Sequence, residues 1–165
     1  MAYRTYVCIK GKDQKQFKAE SKKEGRKDKW IEVINHEWES AVGADADTGA
    51  AKGHVKMKPL YIHKEKGPSS PMIMQAHFRG EILDEVIIEE IGRTDDGKKE
   101  QVVERITLTD AVIVHVHRYT ENPSHDAREH DLNHLEKVGI RARKVQIENP
   151  VASTSTTWDW NEPGS

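Results

Sequence analysis

Cysteine is almost missing from this 165-residue chain: Cys8 stands alone. A single thiol excludes a disulfide within the chain and any paired-cysteine zinc site. Long apolar runs are missing too. Stretches such as AVIV at 111–114 fall far short of the ~20 residues a membrane-spanning helix needs, so no membrane insertion is expected. The first residues, MAYRTYVCIKGK, lack a basic segment followed by an apolar one, and no secretory signal peptide is expected. No GxSxG, P-loop or GxGxxG motif occurs, which removes the readiest routes to acyl-transfer, phosphate and dinucleotide chemistry. Aromatic residues make up only 6% and hydrophobic residues 35%, whereas charged residues reach 33% against a typical ~25%. A folded chain of this composition predicts thin layers with large wetted faces, or faces covered by other subunits. Net charge is −2, which argues neither for nor against nucleic acid.

What is present is patterned for strands. Eight segments are rich in β-branched and aromatic residues or alternate with a two-residue period: 3–10, 30–40, 54–64, 82–92, 100–109, 111–119, 135–149 and 153–161. In the second, Trp30, Glu32, Ile34, His36 and Trp38 are expected to share a face. In the third, the apolar face switches across Pro59, which predicts a bulge or an edge position. Asp96-Gly97 is the strongest hairpin signal. Residues 10–29 show no periodicity and read mostly as loop. Residues 41–53, small and rich in Gly, Ala and Asp, read as an extended loop, and 120–134 as a polar, His-rich loop. One helix interrupts the strands at about 70–79, with Ser70 as N-cap, Pro71 at N1, Gly80 at C′ and an apolar side formed by Ile73, Met74 and Phe78. The pattern predicts a mainly β fold: a single compact β-barrel domain over 1–165, of about eight strands, with one short flanking helix.

The residues offer little chemistry. His115 and His117 share a strand face. His130 and His134 would share one if their segment were helical, with Asp126 and Glu129 nearby. HxH with HxxxH is zinc-ligand spacing, and it leaves open a soluble β-barrel that binds metal or a ligand through its His-rich loop. The competing reading is a solvated loop beside a strand with polar tips; no HExxH is present. Cys8, flanked by Val7 and Ile9, reads as a buried structural thiol. Glu89 and Glu90 lie on opposite faces of a strand and cannot converge on one substrate. The basic run 10–29 is interleaved with Asp13, Glu20, Glu24 and Asp28, and reads as a solvated or protein-contacting segment rather than a nucleic-acid patch. No enzyme, cofactor or metal is expected.

The order of segments resembles the haemolysin-coregulated proteins (Hcp), the tube subunits of bacterial type VI secretion systems. The resemblance rests on YVCIKG near the start, ES at 20–21 before WIEV, a small-residue loop ending in GAAKG, and HVKMKPLYIHK. It continues through SSPMIMQAHFRGE, ITLTDAVIV, LEKVGIRARKVQIE and the final TTWDW. It implies a β-barrel with one flanking helix and no catalysis. Six copies form a ring, and stacked rings form a tube that carries small effectors. Its partners would be further copies of itself and the sheath, spike and baseplate proteins. The protein would reside in the bacterial cytoplasm until firing and then be secreted without a signal peptide.

Three sets of assembly residues follow from that frame. Residues 10–29 hold nine Lys/Arg against four Asp/Glu, and 81–104 hold nine Asp/Glu against three Lys/Arg. Opposed patches suit a head-to-tail contact, placing Lys22, Lys23, Arg26 and Lys27 against Glu81, Asp84, Glu85, Glu89 and Glu90 of a neighbour; neutralisation within the chain is the alternative. The 41–53 loop, with Gly43, Ala44, Asp45, Asp47, Thr48 and Gly49, is expected to reach onto the next ring. The resemblance further implies that Asn122, Ser124, His125, Asp126 and Arg128 border the channel and its cargo.

Overall fold

The chain closes its barrel by letting one short segment change partners. The structure, a computed structural model, describes residues 4–121 and 134–161. Among these are eleven strands: β1 Arg4–Gly11, β2 Lys15–Gln16, β3 Ile31–Val33, β4 Asn35–Glu37, β5 Ser40–Ala44, β6 Ala51–Met57, β7 Leu60–Glu65, β8 Leu83–Arg93, β9 Glu100–Thr120, β10 His134–Asn149 and β11 Thr154–Asp159. The one helix, α1, spans Ser70–Arg79. The main sheet runs β2-β1-β8-β9-β10-β7-β4, with β3 also on β1 and β11 also on β10. All pairings are antiparallel. β3 pairs with β1 (Thr5↔Val33), and β4, one residue further on, pairs with β7 (His36↔Ile62). Between them the Ile34 N–H donates to the His63 carbonyl at 2.8 Å. The stretch 31–37 therefore joins the two ends of the sheet.

This change of partner corrects the expected face of residues 30–40. Ile31 and Val33 are buried in the core, while Glu32 and Ile34 are exposed. Beyond Ile34 the phase inverts: His36 lies opposite buried Ile62, and Trp38 packs against the core. A residue that leaves one neighbouring strand for another restarts the inward alternation, because the alternation belongs to the pairing. At Pro59 the expected interruption is complete, and 54–64 divides between β6 and β7, which lie in different sheets. Conversely, 100–109 and 111–119 form one 21-residue strand. It passes through Asp110, whose φ of 51° lies in the left-handed region that Asp tolerates. The hairpin around Gly97 joins β8 to β9, with Gly97 at φ 69°. Residues 10–29 have little regular structure but are well packed: Phe17, Ala19 and Ser21 are buried, and the Phe17 N–H reaches the Ile9 carbonyl at 2.9 Å.

The helix has the expected bounds but a different inner face. Ser69 rather than Ser70 is the N-cap, and its side chain makes no capping bond. Ile73 and Ala76 enter the core, while Phe78 is 77% exposed. At the other end Gly80 takes φ 61°, and the Glu81 N–H returns to the Ala76 carbonyl at 2.9 Å, a Schellman closure. The helix covers an open edge. β8 pairs with β9 only as far as Leu83↔Ala111. Beyond that point His77 Nδ1 hydrogen-bonds the Ile113 carbonyl at 3.0 Å. An uncovered edge there would invite strand addition.

The helix start is anchored by buried charge. Lys64 and Glu136 are each 0% exposed, with Lys64 Nζ 2.8 Å from Glu136 Oε1. Lys64 also lies 3.2 Å from Glu20 Oε1 and donates to the Glu65 carbonyl at 2.6 Å. Ser70 Oγ donates to Glu136 Oε1 at 2.7 Å, and Ser69 donates to Glu20 through both its N–H and its hydroxyl. The network ties β7, β10, α1 and the 10–29 segment at one end of the barrel. Gly67 is required beside it, because a Cβ there would stand 2.4 Å from Glu20 Cγ.

Candidate assembly surfaces

Residues 41–53, expected as a loop, form most of a separate two-stranded sheet, β5–β6. Small side chains hid the alternation, and the register is interrupted between Ala41 and Gly43. The turn is built by Asp45, whose Oδ1 accepts the N–H groups of Asp47 (2.9 Å) and Thr48 (3.0 Å), with Gly49 at φ 71°. The Thr48 and Asp47 amides hold the Asp45 carboxyl below the usual carboxylate range. Gly43, Ala44, Asp47, Thr48 and Gly49 are exposed, and Asp45 is half-buried. A two-stranded hairpin is marginal by itself, and here both faces meet solvent from Ser40 to Lys56 apart from Asp45.

The basic and acidic segments, expected to face each other between subunits, meet inside one chain. Arg26 lies between the rings of Tyr6 (4.6 Å) and Trp30 (4.5 Å), and its Nη2 is 3.4 Å from Glu89 Oε2. Glu89 is buried and also faces Arg105 at 3.6 Å. Lys23 pairs with Glu100. Glu81 is buried and accepts the N–H groups of Asp13 (2.8 Å) and Gln14 (2.7 Å) and the Gln14 side chain (2.7 Å). Burial pushes the Glu81 carboxyl up, but the Gln14 and Asp13 hydrogen bonds outweigh it and hold the group below its ordinary range. Glu90 accepts from His36 Nε2 at 2.8 Å and stands opposite Glu104 in the register. Burial first, and Glu90 second, raise the Glu104 carboxyl. Of the nine residues predicted for subunit contacts, Lys22, Lys27 and Asp84 are exposed, and Glu85 is half-buried.

The residues predicted for the channel, Asn122, Ser124, His125, Asp126 and Arg128, lie outside the described residues, as does His130. His115 meets Tyr61 edge-on at 5.7 Å, His117 stacks on Tyr119 at 4.9 Å, and His134 Nδ1 lies 3.2 Å from Thr120 Oγ1. Among the described residues no three His, Cys, Asp or Glu side chains converge at metal-binding distance. Cys8 is buried and paired with the Gln16 side chain. The features that sequence reasoning missed are the buried Lys64–Glu136 pair and the exposed apolar side chains Phe78, Ile82 and Val114.

Residues 6–148 match the family described as type VI secretion system effector, Hcp. The chain is 30% identical over 141 residues to the major exported protein of Pseudomonas aeruginosa, covering 85% of this chain and 80% of that one. Among solved structures, the secreted protein Hcp3 of Pseudomonas aeruginosa is 25% identical with a TM-score of 0.74, covering 98% of this chain and 100% of that one. An Hcp protein crystal structure, 24% identical, superposes with a TM-score of 0.86 over 98% of this chain and 99% of that one. A double mutant of Hcp1 from E. coli, 23% identical, reaches 0.81 over 96% and 99%. The last two show likeness of fold.

Proposed function

The chain belongs to the Hcp family of type VI secretion system proteins, and from that membership we propose that it is a tube subunit that works without catalysis. Six copies close into a ring, rings stack into a hollow tube, and the tube conveys small effector proteins to target cells. Its partners are further copies of itself, the sheath, spike and baseplate proteins, and the effectors. It resides in the bacterial cytoplasm until firing and leaves with the tube.

The observation that carries the assembly reading is the β5–β6 hairpin. A two-stranded sheet with both faces wet gains a covering surface when another copy receives it. The exposed apolar side chains Phe78, Ile82 and Val114 also favour burial between copies. Lys22, Lys27, Asp84 and Glu85 are available for polar contacts between neighbours, and 122–128 is the stretch proposed to border the channel. Native mass spectrometry of the purified protein tests the ring, with a species of six chain masses expected; a strict monomer at every concentration refutes it. Deleting residues 44–50 is expected to leave rings that stack poorly, read by electron microscopy. Undiminished stacking would remove the hairpin from this role.

A further inference from the structure

At the helix-start end of the barrel lies a cavity of about 410 Å³, lined by Thr5, Tyr6, Glu20, Glu32, Val33, Ile34, Glu65 and Lys66. Three carboxylates face a single cation among these lining residues. Two of the lining residues carry buried polar atoms that lack a hydrogen-bond partner. Tyr6 is 0% exposed and its hydroxyl is unpaired; Glu20 Oε1 is taken by Lys64 and Ser69, but its Oε2 is unpaired. A buried phenol and carboxylate oxygen left without donors are costly, and they leave the wall of the cavity short of positive charge. The chemistry of the cavity is that of a receptor for a cationic side chain.

The same chain displays such side chains. Lys52 pairs with Gly43 and Lys56 with Ala41, two residues apart on β5, so both lysines project from one face of the hairpin. The register sets Gly43 and Ala41 beside Lys52 and Lys56 on β5, so no carboxylate shares that face. Both lysines are exposed, and no ion pair involves either of them among the described residues. The hairpin and the cavity also lie at opposite ends of the barrel. β6 leads through Pro59 into the Leu60 end of β7, whereas Glu65 and Lys66 at the far end of β7 line the cavity. At ~3.3 Å per residue the two ends of β7 are about 17 Å apart. A projecting element at one end and its complement at the other produce head-to-tail contacts that repeat without closing.

We infer that the Glu20–Glu32–Glu65 cavity is the socket for the lysine face, Lys52 and Lys56, of the hairpin of a second copy in the next ring. The inference rests on the reading of the hairpin as the stacking element and names what receives it. The contact is electrostatic at its rim and weakens as salt screens it.

Charge reversal tests it. Glu32→Lys/Glu65→Lys rings and Lys52→Glu/Lys56→Glu rings are each expected to lose stacked species at least tenfold in sedimentation velocity and electron microscopy, with ring mass unchanged. Mixing the two variants is expected to restore stacks of alternating composition. Reversed rings that stack like the unsubstituted protein, or a mixture that stays unstacked, overturn the socket. If the 44–50 deletion abolishes stacking while the reversals do not, the socket falls and the hairpin reading stands; if neither matters, both fall. A Lys56→Cys/Glu65→Cys protein provides an independent readout under oxidation. A ladder of linked chains, absent from either single variant, supports the socket, and its absence counts against it.

Discussion

Replacing Lys64 by Met removes one charge from the most deeply buried ionic network in the described chain and leaves two carboxylates behind. The methionine fills a similar volume, so packing changes little and the loss is electrostatic. Glu136 would keep the Ser70 hydroxyl at 2.7 Å and Arg118 Nε at 3.4 Å, and Glu20 would keep Ser69. Those contacts moderate the loss, whereas breaking a buried pair typically costs about 3–5 kcal/mol. We therefore expect about 3 kcal/mol. Spread over ~2.1 cal/mol/K per residue, this corresponds to a fall in Tm of about 8–9 °C for a chain of this length. The second half of the cycle is more informative. Lys64→Met/Glu136→Leu removes the pair together and is expected to recover most of the loss, because an apolar replacement of a buried ion pair is often neutral or stabilising. Urea titration followed by tryptophan fluorescence at fixed protein concentration measures both, since assembly makes stability depend on concentration. A single variant that loses under about 1 kcal/mol, or a double variant that loses as much as both singles added, would refute the account of this network as a mutually dependent pair.

Other outcomes follow from the same structure. Ile73→Ala should destabilise by about 2–5 kcal/mol, whereas Phe78→Ala should leave the isolated chain within about 0.5 kcal/mol and act on association instead; equal losses in chemical denaturation would contradict the observed helix face. Glu104→Gln should stabilise the chain at neutral pH by about 0.2–1 kcal/mol, because it removes a like charge opposite Glu90. The Glu104 carboxyl is raised, so the penalty it imposes is present above its folded pKa and fades as pH falls through it; a stabilisation that persisted unchanged into acid would count against this. The Glu81 carboxyl is lowered, so its contribution is present above the ordinary carboxylate range and is lost as pH falls through its folded pKa. Glu81→Gln should accordingly flatten the acid limb of the stability curve, and an unaltered limb would remove Glu81 from that role.

Much of this fold was legible because local rules agree with each other. The helix bounds, Gly80 in the left-handed region, the hairpin at Gly97 and the inward Leu60 and Ile62 each follow from a short pattern that tertiary contacts leave intact. The inversion at Ile34 was not legible, since it records which strand lies alongside, and the residues 30–40 carry no mark of that. The helix face was underdetermined for another reason. Met72, Ile73, Met74, Ala76 and Phe78 surround most of the helix, and the small Ala76 fits where the larger Phe78 does not. The buried charges were half-visible: Lys64 continues the alternation of Leu60 and Ile62, and Glu136 that of Val138 and Ile140. Period placed both inside and residue type argued both out, and the pair satisfies period because each neutralises the other. Among the candidate sites, segment charge singled out two opposed stretches but could not assign their partners, and within one chain Arg26 meets Glu89 and Lys23 meets Glu100. A sum over a stretch cannot tell a neighbour in the same chain, such as Glu89 beside Arg26, from one in the next.

The 21 residues of β9 have a mechanical consequence. The strand runs the height of the barrel without a break in the chain, bonded to β8 from Glu100 to Ala111 and to β10 from Arg105 to Thr120. A pull along that direction loads these hydrogen bonds side by side, in shear, so that many must yield together. A pull across it would peel them one after another at far lower force. The molecule is therefore stiff along one axis and compliant across it, like a plank cut with the grain.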